Sequence, residues 1–209
     1  MANPDSSAFW DERYASGETP WDYGGVPPEL RDYIAKQAPF RSVLVPGCGR
    51  GHEVEAFAKK GCTVTALDIS GVAIRSLRRR LRPFPQAKAL EGDFFTRELP
   101  EGSFDAVYER TFLCALPPEQ RKAYVRRMQV LLKPGGWLFG YFYYGTNGAP
   151  PPYPLAKGEE RSLFMAEFDL IQSVTAEKPL AIFEGGEHWQ IWRKRAKGLI
   201  GAGSQNVFR

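Results

Sequence analysis

The chain predicts an α/β fold: a doubly wound, mostly parallel sheet with helices on both faces, closed by an antiparallel hairpin strand. Three observations carry the prediction. Residues 41–68, RSVLVPGCGRGHEVEAFAKKGCTVTALD, read as strand, glycine-rich turn, helix and second strand. Strand-like and helix-like runs then alternate as far as the aromatic stretch 137–144, the pattern of repeated βαβ units. Beyond residue 167 the alternation gives way to strand-like segments, so the sheet should close by turning back on itself.

The first unit is the most informative. Ser42-Val43-Leu44-Val45 is apolar and partly β-branched, the composition of a strand buried on both faces. Pro46-Gly47-Cys48-Gly49-Arg50-Gly51 sets three glycines at alternate positions, where positive φ is permitted and a ligand can approach without meeting a Cβ. Val54, Phe57 and Ala58 fall at helical spacing, and Gly61 stops the run. Residues 62–67 return as a strand ending on Asp68, about 20 residues beyond the turn, the arrangement that sets a ribose against a carboxylate. His52 stands where the dinucleotide spacing G-x-G-x-x-G requires its third glycine, so the turn suits a nucleoside carrying an amino acid better than a pyrophosphate. A glycine turn alone serves equally as a tight connection; Asp68 at this distance is what favours a ligand.

In chain order, residues 1–40 are not a parallel-sheet unit. Phe9, Trp10, Tyr14, Trp21 and Tyr23 crowd aromatic rings into a segment with turns at Ser16-Gly17 and Thr19-Pro20, a lid over a ligand or a cover for the sheet. After Pro27-Pro28, residues 29–38 read as a helix with Leu30, Tyr33 and Ile34 on one face. Ser70 caps a helix running to Arg82, ended by Pro83 and Pro85. Residues 87–91 form a third strand, and Gly92-Asp93-Phe94-Phe95 follows at its carboxyl end, where ligands of open α/β sheets sit. An Asp followed by an aromatic there can bond an exocyclic amine and cover an adenine face, or else cap a turn over a core Phe. Residues 104–108 form a fourth strand ending at Glu109-Arg110-Thr111; 117–132 a helix stopped by Lys133-Pro134-Gly135-Gly136; and 137–144 a fifth strand opening into a long Gly- and Pro-rich turn at 145–154. A helix at 159–167, a strand at 168–176 and a final strand at 188–193, in a hairpin with 180–184, complete the fold, and 196–209 stays unassigned.

With 209 residues, 43% of them apolar, the chain holds one domain over 41–195 behind the amino-terminal segment. The net charge of +4 draws on Arg75, Arg78, Arg79, Arg80 and Arg82, which read as a solvated helix face because no aromatic platform is interleaved with them; nucleic acid is not an expected partner. Three scattered cysteines make neither a disulfide framework nor a structural zinc site, and no metal is expected. Without a basic apolar leader or a long apolar run, the expectation is a cytoplasmic protein with no membrane contact. Oligomeric state is left open.

Taken together, Trp10, Thr19-Pro20-Trp21-Asp22, the turn 44–53, Leu67-Asp68-Ile69-Ser70, Gly92-Asp93-Phe94-Phe95 and Leu131 to Gly136 resemble a class I S-adenosylmethionine-dependent methyltransferase, and more narrowly the thiopurine, thiol and halide methyltransferase family. The likeness spans Phe9 to about Lys194 and implies a Rossmann-like fold with S-adenosyl-L-methionine as methyl donor. By that resemblance Trp10, Tyr14 and Trp21 close over the donor, Gly47 meets its methionine part, Gly49 is a further donor-binding residue, and Asp68 meets the ribose and Asp93 and Phe94 the adenine. The plant halide and thiol enzymes carry Trp where this chain has Tyr14 and Tyr where it has Arg110; the acid followed by Arg is similar to the thiopurine branch and points away from halide or thiocyanate as main substrate.

Methyl transfer from a sulfonium is an in-line displacement that needs alignment and a dry enclosure, and no acid for the leaving group. For a thiol the remaining difficulty is deprotonation, which a nearby cation eases. Arg110 is the candidate for that catalytic role, against a plain ion pair with Glu109 or another acid. His52 is read as structural, Cys48 and Cys114 as packing residues, and Tyr141, Tyr143 and Tyr144 as walls of the acceptor pocket. The expected acceptor is the sulfur of a small or aromatic, thiopurine-like thiol, or another small anionic nucleophile. Halide or thiocyanate methylation, transfer to oxygen or nitrogen of a small metabolite, and a catalytically silent binding module remain the alternatives.

Overall fold

A computed structural model describes residues 6–36, 40–145 and 150–196. Strands β1 (Ser42–Pro46), β2 (Thr63–Asp68), β3 (Ala87–Glu91), β4 (Phe104–Arg110), β5 (Leu132–Tyr143), β6 (Phe168–Thr175) and β7 (Glu187–Lys194) form one sheet in the order β3-β2-β1-β4-β5-β7-β6. All its pairings are parallel except those of β7, which runs antiparallel to both neighbours. The strand order reverses between β1 and β4, so the turns after these two strands open a crevice at the carboxyl edge.

Pleat alternation divides the core. Val43 and Val45 pack on one side with Leu30 of α2 (Pro28–Lys36), Val54 and Phe57 of α3 (His52–Lys59), and Ile74 and Leu77 of α4 (Gly71–Arg80). Leu44 joins Tyr124 and Met128 of α5 (Arg121–Leu131) and Phe164 of α6 (Glu159–Phe164) on the other. Helices thus cover both faces, as expected of a doubly wound sheet.

Most boundaries follow local chemistry. Ser70 Oγ accepts from Ala73 N at 3.1 Å and starts α4 where its cap was expected. The helix stops at Arg80, because Pro83 disfavours helical backbone at the residue before it. Arg78 donates to the Ala89 carbonyl, and Arg80 pairs with Glu55 and bonds the Arg50 carbonyl, so the arginine face partly staples α4 to its neighbours. The expected helix at 117–132 begins as a 3₁₀ turn, Pro118–Gln120, and is α-helical only from Arg121. Lys133 to Gly136 lie in an irregular opening of β5, whose register against β4 jumps between Phe104↔Leu132 and Ala106↔Trp137. The end of the helix expected at 29–38, most of the tail 196–209 and part of the turn 145–154 lie outside the described residues.

Two readings need correction. Helix α1 (Ser7–Ser16) was not anticipated, although its ends carry ordinary signals: Ser6 Oγ accepts from Phe9 N at 3.3 Å, and Gly17 closes the helix at φ 80°. The closing hairpin is built from β6 and β7, not from 180–184 and β7. Residues Ala181–Phe183 form a 3₁₀ turn. Leu180 and Phe183 are buried while Ala181 and Ile182 face out, a spacing of three that a turn satisfies and a strand does not.

Candidate active site

The crevice at the switch point is built by four turns. After β1, Gly47 and Gly49 take φ of 57° and 49°. A Cβ at Gly47 would stand 2.6 Å from Phe112 Cδ2, and one at Gly49 would stand 2.6 Å from Tyr14 Oη, so only glycine lets these rings approach. After β2, Asp68 closes the turn onto itself: Oδ2 accepts from Gly49 N and Oδ1 from Ser70 N, both at 2.8 Å. Asp68 is 6% exposed, and burial pushes its pKa up to about 6 against the pull of those donors. After β3, Asp93 Oδ1 accepts from Phe95 N at 2.6 Å and Thr96 N at 3.0 Å, while Oδ2 carries neither bond.

The turn after β4 is the most constrained. Thr111 adopts φ 58°, a costly conformation for a β-branched residue. Glu109 holds it from behind: Oε1 accepts from Phe112 N and Leu113 N, both at 2.9 Å, and Oε2 accepts from Tyr124 Oη at 2.6 Å. Burial raises the Glu109 carboxyl to about 7, although each of these donors favours its ionised form. Glu109 therefore faces away from Arg110, and the ion pair anticipated with Glu109 or another acid is made with Glu187 instead. Arg110, 7% exposed, lies 3.5 Å from Glu187 Oε1 through Nη2, with Cζ 4.2 Å from the Tyr141 ring centroid and 5.1 Å from that of Tyr23. Its Nε, Nη1 and Nη2 are buried without a hydrogen-bond partner. Burial raises the carboxyl pKa of Glu187 and Glu53, and the Arg110 charge acts against that shift in both.

The amino-terminal segment roofs the crevice. Trp10 and Tyr14 of α1 meet Trp21 edge-on, with ring centroids 5.3 and 6.0 Å apart, and Trp21 Nε1 donates to Tyr14 Oη at 3.4 Å. Two carboxylates with no role assigned from the sequence dock this roof. Asp11 Oδ1 accepts from Ser70 Oγ at 2.6 Å and Val72 N at 3.0 Å, tying α1 to the start of α4. Asp22 Oδ2 lies 2.9 Å from Arg50 Nε, and its Oδ1 is 3.6 Å from Nε2 of His52, the first residue of α3.

Two cavities result. The larger, about 180 Å³, is lined by Trp10, Tyr14, Trp21, Gly47, Asp68, Asp93 and Phe94 among the expected residues. The smaller, about 40 Å³, holds Gly49 and Arg110 with Asp22, Tyr23, Glu53 and Tyr108. Tyr14, Trp21, Gly47 and Thr111 border both and form a waist between them. Pro151 and Pro152 bring the long turn at 145–154 to the wall, whereas Arg13, Phe112, Gln120, Ile182 and Phe183 were not anticipated. Only Arg13 had a usable signal, three residues after Trp10 on one helix face.

Tyr141, Tyr143 and Tyr144 line neither cavity, contrary to expectation. Tyr141 backs Arg110 and donates to Glu29 Oε2 at 2.7 Å, Tyr143 stacks on Phe183 at 4.2 Å, and Tyr144 accepts from Gln190. Register with β7 turns these side chains into contacts among strands and turns. Cys48, Cys62 and Cys114 are unpaired and buried. Cys114 borders the larger cavity, but burial and nearby Glu109 and Glu187 push its thiol pKa upward, which suits packing and not nucleophilic attack.

Comparison with known proteins decides the family: residues 5–195 match the description Thiopurine S-methyltransferase. The chain belongs to that family. It is a methyltransferase with S-adenosylmethionine as donor, as the resemblance implied. It is 34% identical over 200 residues to a probable thiol methyltransferase 2 of Arabidopsis thaliana, covering 93% of this chain and 88% of that one. It is also 33% identical over 191 residues to thiocyanate methyltransferase 1 of Brassica oleracea, covering 88% and 84%. Among solved structures, the 1,6-didemethyltoxoflavin-N1-methyltransferase of Burkholderia thailandensis, with S-adenosylhomocysteine bound, shares the fold with a TM-score of 0.76 at 17% identity, over 93% of this chain and 92% of the other. Among the described residues no helix is long and apolar enough to cross a membrane.

Proposed function

We propose that this member of the family methylates the sulfur of a small thiol or aromatic thiol, with its donor laid across both cavities. The waist carries the reading. A donor with its nucleoside against Asp68, Asp93 and Phe94 would run its amino-acid end past Gly47 toward Arg110. The lining fits such a group: three buried guanidinium nitrogens that make no hydrogen bond, one of them in a 3.5 Å ion pair with Glu187, suit a carboxylate, and Asp22 and Glu53 in the same small cavity suit an ammonium. When bound, S-adenosylmethionine supplies a methyl group activated by a positively charged sulfur.

In this reading Asp68 accepts from the ribose hydroxyls, Asp93 Oδ2 from the exocyclic amine, and Phe94 covers the adenine. Trp10, Tyr14 and Trp21 exclude water from the waist, where a dry site strengthens the attraction between an anionic nucleophile and a cation. Arg110 is the catalytic cation. By gripping the donor carboxylate it fixes the position of the reacting sulfur, and its charge beside Thr111 favours a thiolate over a thiol. A thiol with an organic body is preferred to a bare halide or thiocyanate because Leu116, Pro151, Pro152, Ile182 and Phe183 extend the larger cavity as an apolar wall.

Calorimetric titration with S-adenosylhomocysteine, followed by assays with thiophenol, a thiopurine, iodide, thiocyanate, a phenol and an amine, tests the proposal. Saturable binding and S-methylated product, greatest for the aromatic thiols, is expected. No binding rejects the donor site; product from iodide or thiocyanate alone rejects the acceptor class; binding with no product from any acceptor leaves a silent module.

A further inference from the structure

We infer that Arg13 recognises an anionic substituent on the acceptor, so that the thiols taken best are aromatic rings bearing a carboxylate apart from the reacting sulfur. The inference rests on the function proposed above and specifies its substrate. Helix α1 places Trp10, Arg13 and Tyr14 at positions i, i+3 and i+4, and all three line the larger cavity. Among the described residues Arg13 is the one Lys or Arg on that wall.

Among the described residues its charge is paired with no acid. Nη1 donates to the Phe9 carbonyl at 3.3 Å, and Cζ sits 3.5 Å from the centroid of the buried Phe9 ring. These contacts set the direction of the guanidinium while leaving most of its five N–H donors for a ligand. The helix beneath it is anchored, since Asp11 ties α1 to Ser70 and Val72. A planar donor fork held in this way matches a carboxylate with two parallel hydrogen bonds.

The two acids of the wall have different work. Asp68 has both oxygens tied to backbone N–H groups, and Asp93 has one; both are assigned to the nucleoside. The rest of the cavity lining includes Phe95, Phe112, Leu116, Ile182 and Phe183, which suit a flat apolar ring. A ring thiol carrying a carboxylate satisfies both the apolar wall and the cation; an unsubstituted ring satisfies only the wall.

Thiophenol and the three isomeric mercaptobenzoates share a nucleophile and differ by one carboxylate. The protein is expected to favour at least one mercaptobenzoate over thiophenol in kcat/KM. Arg13→Gln should lower that preference by about tenfold or more, as expected for losing a charge-assisted pair, and Arg13→Lys should retain part of it. Binding supplies a readout apart from turnover: with S-adenosylhomocysteine present, the S-methyl product of the favoured mercaptobenzoate should lose affinity in Arg13→Gln by a larger factor than thioanisole does. An unchanged preference, or a loss confined to affinity for S-adenosylhomocysteine, overturns the inference and leaves Arg13 serving the donor or the roof. Failure of the unaltered protein to bind S-adenosylhomocysteine, or to methylate any of the four thiols, overturns the underlying function instead.

Discussion

At the scale of single residues, Asp68 and Arg110 make the clearest predictions. Replacing Asp68 by Ala removes the proposed acceptor for the ribose hydroxyls, and hydrogen bonds to a charged group are worth about 1.5–3 kcal/mol, so affinity for S-adenosylhomocysteine should fall roughly ten- to a hundredfold by calorimetry. The same carboxyl gives a pH dependence. With its pKa raised to about 6, it is ionised and able to accept from two hydroxyls only above that value; below it affinity should decline by about tenfold per pH unit. Stability responds with the opposite sign: the folded carboxyl holds its proton more tightly than the unfolded one, so its ionisation costs stability as pH rises from the ordinary carboxylate range to about 6, and the cost is constant above. Unchanged binding by Asp68→Ala would remove the pocket assignment altogether. For Arg110, an Arg110→Met variant should lose donor affinity by tenfold or more, the expected size for a buried charge-assisted contact, with Arg110→Lys intermediate. If donor affinity holds while kcat falls and its pH profile moves upward, the cation acts on the thiol alone.

Elements decide how these residues meet. Helix α1 has few buried positions of its own, Phe9 being the one fully enclosed, so its place over the crevice depends on Asp11 reaching the first turn of α4. Asp11→Ala leaves Ser70 Oγ and Val72 N without that acceptor, and loss of such paired bonds costs about 1–3 kcal/mol. Donor affinity should weaken by about tenfold with little change in far-ultraviolet circular dichroism; an unchanged Kd would show that the roof docks by its aromatic contacts alone. The turn after β4 works differently. Glu109, Tyr124 and two backbone N–H groups hold Thr111 in its left-handed conformation, and that conformation presents Arg110 to one cavity and Phe112 to the other. The acid next to Arg110 in sequence is thus a scaffold for the turn. Adjacent residues of a strand point to opposite faces, which is why Glu109 and Arg110 do not pair.

For the whole molecule, the centre of the sheet and its edge should behave oppositely. Phe139 on β5 is fully buried among Tyr33, Phe40, Phe57, Tyr108 and Trp189. Phe139→Ala should cost about 3–5 kcal/mol in denaturant unfolding, a large fraction of the 5–15 kcal/mol typical of a domain. Ile171 lies on the edge strand β6 and is 55% exposed; Ile171→Lys should change stability by less than about 0.5 kcal/mol. Equal costs at both sites would mean that the hairpin end of the sheet is covered in solution.

Periodicity, caps and glycine spacing are local signals, and they sufficed for the parallel half of the sheet, the helix starting after Ser70, the turn at Gly47 and the carboxylate of Asp68 about 20 residues on. Each of those features, like each motif that carried the family resemblance, lies within a single βαβ unit or less. Tertiary structure alone decided what depends on distant partners. The insertion of β7 between β5 and β6 turned Tyr141, Tyr143 and Tyr144 away from the crevice, the glutamates beside Arg110 came from α3 and β7, and α1 brought Arg13 to the cavity wall. Strand register and long-range ion pairing are set by which surfaces bury each other, and no short window of sequence contains both members of such a pair.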